Sequence, residues 1–479
     1  MENKKSQTNF SRLILVATIL AGAFIVTLSA TLLNTALPQI MKDLSISANT
    51  AQWLTTGFML VIGMLIPISA FLMERFSTRK LFITSMCLFG MGNLLAAIAP
   101  NFPVLLTARI VQAAGEGIML PLIQTILLLI FPVNQRGTAM GMVGLVLAFS
   151  PAIGPTLSGW IVDTFSWRIL FYMNLPIVIL VIVISFFTLK NVTKLTHPKI
   201  DIVSIILSSL GFGGLLYGFS NAGSNGWNSF EVIITLIVGI TALSMFIWRQ
   251  LTTEKPMLEF RVLKNKIYSL TVLIGMIVMV SMIGVELLLP LYVQTARGYT
   301  PIESGLLLLP GAIVMGIMSP ITGKIFDKIG ARPLTIIGLV IITIMTFLFS
   351  NITDSTPYMY MMVIYTIRMF GISLVMMPVM TAGLNQLPNH LISHGTAMNN
   401  TLMQVGSSIG TALLITIMTN STASAVQQKL SYPMIHGVSV AFTVAGILAL
   451  SALVMSFFIK SSKTNKEDIE ENKVAVNES

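Results

Sequence analysis

Arg109, Gln112 and Glu116 stand at i, i+3 and i+7 in an otherwise apolar stretch. A helix through them presents a cation, an amide and a carboxylate on one face. Burial and a neighbouring cation act on such a carboxyl in opposite directions, which leaves a group able to titrate with conformation and so to exchange protons. The same trio also reads as a static pair that holds the helix. Glu286 is different: it has no charged neighbour within two turns and lies one turn before Pro290. A lone carboxyl there suits proton coupling or recognition of a cationic substrate, or else a structural hydrogen bond.

Softer polar groups accompany these charges. Asn400, Gln404, Ser407, Ser408 and Thr411 recur at helical spacing, as do Thr27, Thr31 and Asn34. Asn34, Gln112, Asn400 and Gln404 are therefore candidates for the wall of a substrate cavity. The bland alternative is glue between helices, which the intervening Gly406 and Gly410 favour for the stripe at 400–411. Methionines crowd 359–380, where flexible, polarizable side chains suit either a pocket that repacks around apolar ligands or lipid-facing filler.

The elements that position these residues follow from composition. Of 479 residues 54% are hydrophobic and 10% charged, with a mean hydropathy of +0.86. That apolar load exceeds a single globular core and matches many helices dissolved in a bilayer. Apolar runs lie at 13–33, 50–72, 81–99, 104–131, 137–162, 169–189, 202–221, 230–248, 269–293, 303–325, 333–350, 358–382, 395–418 and 437–460. Fourteen spans put both termini on one side. Of the 28 Lys and Arg residues, 22 then fall on that side and four on the other, with Arg109 and Arg368 inside spans. The positive-inside rule makes the crowded side cytoplasmic, so the net charge of +10 reports topology and not nucleic-acid binding. The five tryptophans lie at or near span ends, which reads as interface anchoring.

The chain repeats itself. Asn34 to Pro38 matches Glu286 to Pro290, Ala70 to Lys80 matches Gly323 to Pro333, and Arg109 matches Arg368, at offsets near 252–259 residues. Spans 1–6 thereby pair with spans 9–14, and spans 7 and 8 form an inserted pair. The expected fold is all-α and membrane-integral: a bundle at 13–189, the inserted pair with its linkers at 190–267, and a second bundle at 268–460. A cytoplasmic segment at 1–12 and a charged tail at 461–479 complete it. Like bundles around a midplane site are the mechanical basis of alternating access. The inserted pair takes a structural role.

Four motifs in order now carry a resemblance. Arg75 to Lys80 and its second copy, Gly323 to Arg332, look like the G-x-L-a-D-R-x-G-R-K loop of the major facilitator superfamily. Arg109 to Gly115 resembles its R-x-x-Q-G-x-G motif, and Gly154-Pro155 through Gly159 its antiporter motif G-P-x-x-G-G. Trp167 through Pro176 resembles the W-R-x-x-F-x-x-N-x-P signature of the fourteen-span drug:proton antiporters of the EmrB/QacA type, and length and tails are similar to the lincomycin-resistance and MdeA multidrug exporters. The resemblance implies a major facilitator fold of fourteen helices and export of amphipathic, often cationic drugs or antibiotics in exchange for protons. It implies gating by Glu74, Arg75, Arg79, Asp327 and Arg332, and a hinge at Pro151, Gly154, Pro155 and Gly159. Ser29 replaces the first-helix Asp, Glu74 replaces the loop Asp, and Ser77-Thr78 replaces Gly-Arg.

Other classes fit poorly. No loop has room for a catalytic domain, no phosphate-binding loop appears, and no cofactor or metal site is expected. The single Cys87 forms no intrachain disulfide. His390 and His394, at i, i+4 beside Pro388, read as a solvated turn, and Glu231 and Glu303 as solvated span ends. The expected partners are small-molecule drugs, protons and the lipid bilayer of a bacterial cell, with the chain acting as a monomer. A dedicated metabolite exporter or a proton symporter on the same fold is the alternative.

Overall fold

The computed structural model describes residues 2–459 apart from 194 and 197; within the helices, the side chains of residues 2–11, 34, 49 and 223–225 are not among those described. The expectations placed on the Asn34 side chain, on Lys4 and Lys5, on Lys194 and His197, and on the tail from 460 lie outside the described residues.

A bilayer offers backbone groups no hydrogen-bond partner, so apolar runs of this length satisfy themselves as helices. The first half contains α1 (Glu2–Asp43), α2 (Ala48–Arg75), α3 (Thr78–Ala97), α4 (Phe102–Ile130), α5 (Arg136–Thr164) and α6 (Ile169–Tyr172), which continues into α7 (Asn174–Thr188). The inserted pair is α8 (Ile202–Asn225) and α9 (Phe230–Thr252). The second half contains α10 (Lys266–Leu291), α11 (Pro301–Ile329), α12 (Ala331–Phe349), α13 (Tyr358–Leu384), α14 (Ile392–Gln427) and α15 (Pro433–Ser456). Among the described residues fourteen spans are long and apolar enough to cross a membrane, and they coincide with the apolar runs in the sequence. α1 runs well past both ends of its run, carrying Pro38 in its last turns.

Polar residues at the run boundaries set the helix starts. Ser47 accepts from Thr50 N at 3.2 Å, Asn101 from Val104 N at 3.1 Å, and Thr300 with Glu303 forms a reciprocal capping box. Glu303 is therefore a cap, and Glu231 takes the Tyr217 hydroxyl. Ser77 and Thr78, which depart from the loop motif, acquire a use: Ser77 caps α3, and Thr78 bonds Asn191 from its amide at 2.9 Å and its hydroxyl at 3.1 Å.

One apolar core gathers α1–α7 and reaches into α8, α9 and the ends of α10, α13 and α14, and a second gathers α10–α15. The W-R-x-x-F-x-x-N-x-P signature is a staple within the first half. Trp167 is buried, which corrects its reading as an interface anchor: its Nε1 donates to Asp43 Oδ2 at 3.0 Å and its backbone amide to Gln39 at 3.1 Å. Arg168 pairs with Asp43 at 2.7 Å and bonds Ala99 O at 2.9 Å, while Asn174 bonds Asn93 at 3.0 Å. The loop before α6 is thus tied to the ends of α1 and α3. The Arg168 and Trp167 hydrogen bonds hold the Asp43 carboxyl below its ordinary pKa.

Candidate functional site

The two halves meet along two seams, α5 against α11 and α2 against α14. On the first seam, a Cβ at Gly137 would lie 2.6 Å from Gly323 O, and one at Gly141 would lie 2.5 Å from Ser319 O. Contact continues to Gly316, where a Cβ would meet the Phe149 ring at 2.3 Å. Beyond that level Gly159 and Gly305 face open space, and Trp160 and Ile302 are exposed. The helices therefore touch at the end rich in Lys and Arg and leave room at the other.

Side chains seal the touching end. Asp327 on α11 accepts from Gly137 N and Thr138 N, each at 2.8 Å, and from the Thr138 hydroxyl at 2.6 Å. A carboxylate on the free amides of the α5 N-terminus is favoured by both hydrogen bonding and the helix dipole. Arg136 bonds Asn385 at 3.1 Å and Asn389 at 3.0 Å on the opposite half. On the second seam Glu74 Oε1 meets His394 Nε2 at 2.8 Å. His394 is buried, so its expected solvation is corrected; the charge that buries it lies 320 residues away. Arg75 bonds Pro198 O at 2.6 Å, Arg79 stacks over the Phe186 ring at 4.1 Å, and Arg332 is exposed.

Deeper in the first half, Arg109, Gln112 and Glu116 are all buried. Arg109 Nη1 donates to Gln112 Oε1 at 2.8 Å, its Nε reaches Leu54 O at 3.4 Å, and its guanidinium lies 3.8 Å over the Phe58 ring. Arg109 and Glu116 attract each other without a direct ion pair among the described residues. Arg109 Nη2, Gln112 Nε2 and Glu116 Oε2 have no hydrogen-bond partner. Two donors and one acceptor in a single buried stripe are complementary to water or to a transferable proton.

The second half holds its charges differently. Arg368, wholly buried, bonds Thr346 on α12 at 3.1 Å and Ser281 on α10 through its carbonyl at 2.8 Å and its hydroxyl at 3.0 Å. Glu286, half-buried on α10, is alone in sequence but faces Arg368 and Tyr365 electrostatically from α13. Spacing along one chain contained no signal for that pairing except the match of Arg368 to Arg109.

Among the softer groups, Asn400 bonds Gln124 on α4 at 2.6 Å, and Gln404 lies against Gly63 of α2. Gln124 was not singled out in the sequence because a lone amide in an apolar run carries no pattern. At the motif in α5, a Cβ on Gly154 would lie 2.1 Å from Thr31 Oγ1, and Ser158 and Ser150 bond Leu32 O at 2.6 Å and Thr27 at 2.8 Å. Gly154 thus lets α5 approach α1 closely, whereas Pro151 and Pro155 are exposed.

Fourteen apolar spans among the described residues, six in each of two like halves with a pair between them, and buried charge in each half define a multi-pass membrane protein of the two-bundle transporter class. Residues 19–411 match the Major Facilitator Superfamily, and the chain belongs to that family. It is 54% identical over 467 residues to the MFS-type transporter YcnB of Bacillus subtilis (strain 168), covering 98% of this chain and 99% of that one. It is 44% identical over 462 residues to the lincomycin resistance protein LmrB of the same organism, covering 94% and 96%. Its fold matches the proton:xylose symporter XylE bound to 6-bromo-6-deoxy-D-glucose, with a TM-score of 0.67 at 14% identity, covering 94% of this chain and 96% of that one.

Proposed function

We propose that the protein is a multidrug efflux transporter of the bacterial plasma membrane. It exports amphipathic, often cationic drugs or antibiotics in exchange for protons by alternating access. Residues 13–189 and 268–460 are the two moving bundles, with 190–267 inserted between them. Both termini are cytoplasmic, which makes the sealed Lys/Arg-rich end the cytoplasmic gate. The likeness to a lincomycin resistance protein over nearly the whole chain supports drug export.

The observation that carries the coupling is a carboxyl in each bundle set near, but not bonded to, a buried arginine: buried Glu116 with Arg109 and half-buried Glu286 with Arg368. A carboxylate locked in an ion pair would stay charged; one held at a distance can take a proton when the bundles move. Glu286, with no hydrogen bond of its own among the described residues, is the coupling or cation-recognition group, and Glu116 is its partner in the first bundle. Gln112, Asn400 and Gln404 line the path, and the Gly154–Pro155 segment is the hinge.

Each proton supplies about 1.4 kcal/mol per pH unit and about 2.3 kcal/mol per 100 mV, enough to drive a drug gradient of many-fold. The reading is tested with cells preloaded with ethidium and then energised. Faster loss from cells expressing the protein is expected, and it should vanish with a protonophore. Energised accumulation would instead establish a symporter.

A further inference from the structure

The Glu74–His394 contact is held from both sides by the strands of chain that lead into and out of the inserted pair. On the entering strand, the Thr196 hydroxyl donates to Glu74 Oε2 at 2.9 Å, Thr196 N donates to Glu74 O at 3.1 Å, and Arg75 bonds Pro198 O at 2.6 Å. On the leaving strand, Glu259 N donates to His394 Nδ1 at 3.2 Å. A ring nitrogen that accepts a backbone N–H carries no proton, so the proton of neutral His394 sits on Nε2 and points at Glu74 Oε1, 2.8 Å away.

The helices of the pair reinforce the same seam. α8 lies against both α2 and α14. Leu216 fills the space over Gly63, Met64 fills that over Gly213, and Trp53 stacks on Tyr217 with centroids 5.8 Å apart. At the far end Trp227 donates to Thr416 of α14 at 2.7 Å. The pair is itself fastened at the Lys/Arg-rich end: Arg249 grips both oxygens of Asp201 at 2.9 and 3.1 Å, and Gln250 takes the amides of Met257 and Leu258 at 2.6 and 3.2 Å. Among the described residues the α5/α11 seam has no comparable cover.

We propose that the inserted pair is a clamp on one of the two gating seams, with Thr196 and the Glu259 amide as positioning groups that orient Glu74 and His394 for each other and so favour the state closed at the Lys/Arg-rich end. This revises the purely structural role expected of α8 and α9, and it rests on the alternating-access reading above. Opening that end must part Glu74 from His394. Both strands raise the cost of doing so, because each fixes one partner's side chain before the contact forms.

The test uses the full chain in lipid nanodiscs with Cys87→Ser and nitroxide labels on cysteines at the exposed positions Lys80 on α3 and Lys324 on α11, one in each half. Distance distributions across the Lys/Arg-rich end are then read by pulsed electron resonance. Thr196→Val removes the hydroxyl alone, and Glu259→Pro removes the amide hydrogen at a residue whose φ of −80° a proline accepts. Each is expected to raise the ratio of long to short distances roughly two- to tenfold, the loss associated with the net contribution of one hydrogen bond. Thr196→Ser, which restores the hydroxyl, and Glu259→Ala, which keeps the amide, are expected to match the parent. Parent-like distributions in both Thr196→Val and Glu259→Pro, while Glu74→Ala lengthens the distances, would overturn the clamp and leave alternating access standing. A single distance in every variant, including Glu74→Ala and Asp327→Ala, would overturn both.

Discussion

Asn400 on α14 donates to Gln124 on α4 across 276 residues at 2.6 Å, joining the two halves one layer inside the Glu74–His394 and Asp327 contacts. Both amides lie toward the Lys/Arg-rich ends of their helices, so this bond forms the floor of any cavity opening at the other end. Replacing Asn400 with Leu strands Gln124 Oε1 without a donor. Such a group costs about 1–3 kcal/mol, or roughly a five- to hundredfold shift toward the state open at the Lys/Arg-rich end. A cysteine at Ala397, fully buried in the closed state, should then be alkylated correspondingly faster.

Asp327 accepts three hydrogen bonds with two oxygens, two of them from backbone amides. An asparagine there turns an NH₂ toward an amide that already donates. Asp327→Asn should therefore impair ethidium export nearly as much as Asp327→Ala, at least tenfold for the loss of charged hydrogen bonds of about 1.5–3 kcal/mol each. Export within twofold of the parent in Asp327→Asn would contradict the capping role.

The glycines of α5 separate by position. A Cβ at Gly137 meets Gly323 O at 2.6 Å and Asp327 Oδ1 at 2.6 Å, both on the opposite half, so Gly137→Ala should hold the gate apart and abolish export. Gly159 has nothing within 4 Å, and Gly159→Ala should leave export unchanged although the motif includes it. Gly154→Ala should fall between, because the nearest atom is the Thr31 hydroxyl oxygen at 2.1 Å. Comparable expression of all three, checked by gel filtration in detergent, keeps the comparison one of function.

Asp43 supplies a stability test with a definite sign. Arg168 and Trp167 lower its folded pKa, so its contribution is present above the ordinary carboxylate value and is lost as pH falls through the depressed folded value. The parent should therefore lose thermal stability relative to Asp43→Asn only when acidified below about pH 4, where the two converge. The carboxylate is largely exposed, and the expected difference at neutral pH is small. A gap that persists undiminished to pH 2 would show that Asp43 acts through packing alone.

The spans, the inserted pair and the internal repeat were legible because a bilayer enforces them residue by residue: apolar runs, flanking charges and two matched arginines are local facts. Asp327 stood out as part of the repeated loop motif. His394 was not, because a histidine near a loop proline looks solvated until Glu74 and Glu259 arrive from elsewhere in the chain. Gln124 and the Arg368–Glu286 approach were hidden for the same reason. Contacts between bundles depend on docking, and docking leaves no period in the sequence. Trp167 shows the converse: its place at a span boundary pointed to the membrane interface, while Asp43 and Gln39 draw it into the protein.

The central claim is that drug leaves in exchange for protons through Glu286. Inside-out vesicles with an acidified lumen, given ethidium or a quaternary ammonium compound, test it directly. The pH gradient should collapse on drug addition in the parent, fail to collapse in Glu286→Gln, and be weakened in Glu116→Gln. An unchanged gradient in the parent across several cationic drugs, or a full response in Glu286→Gln, would contradict it.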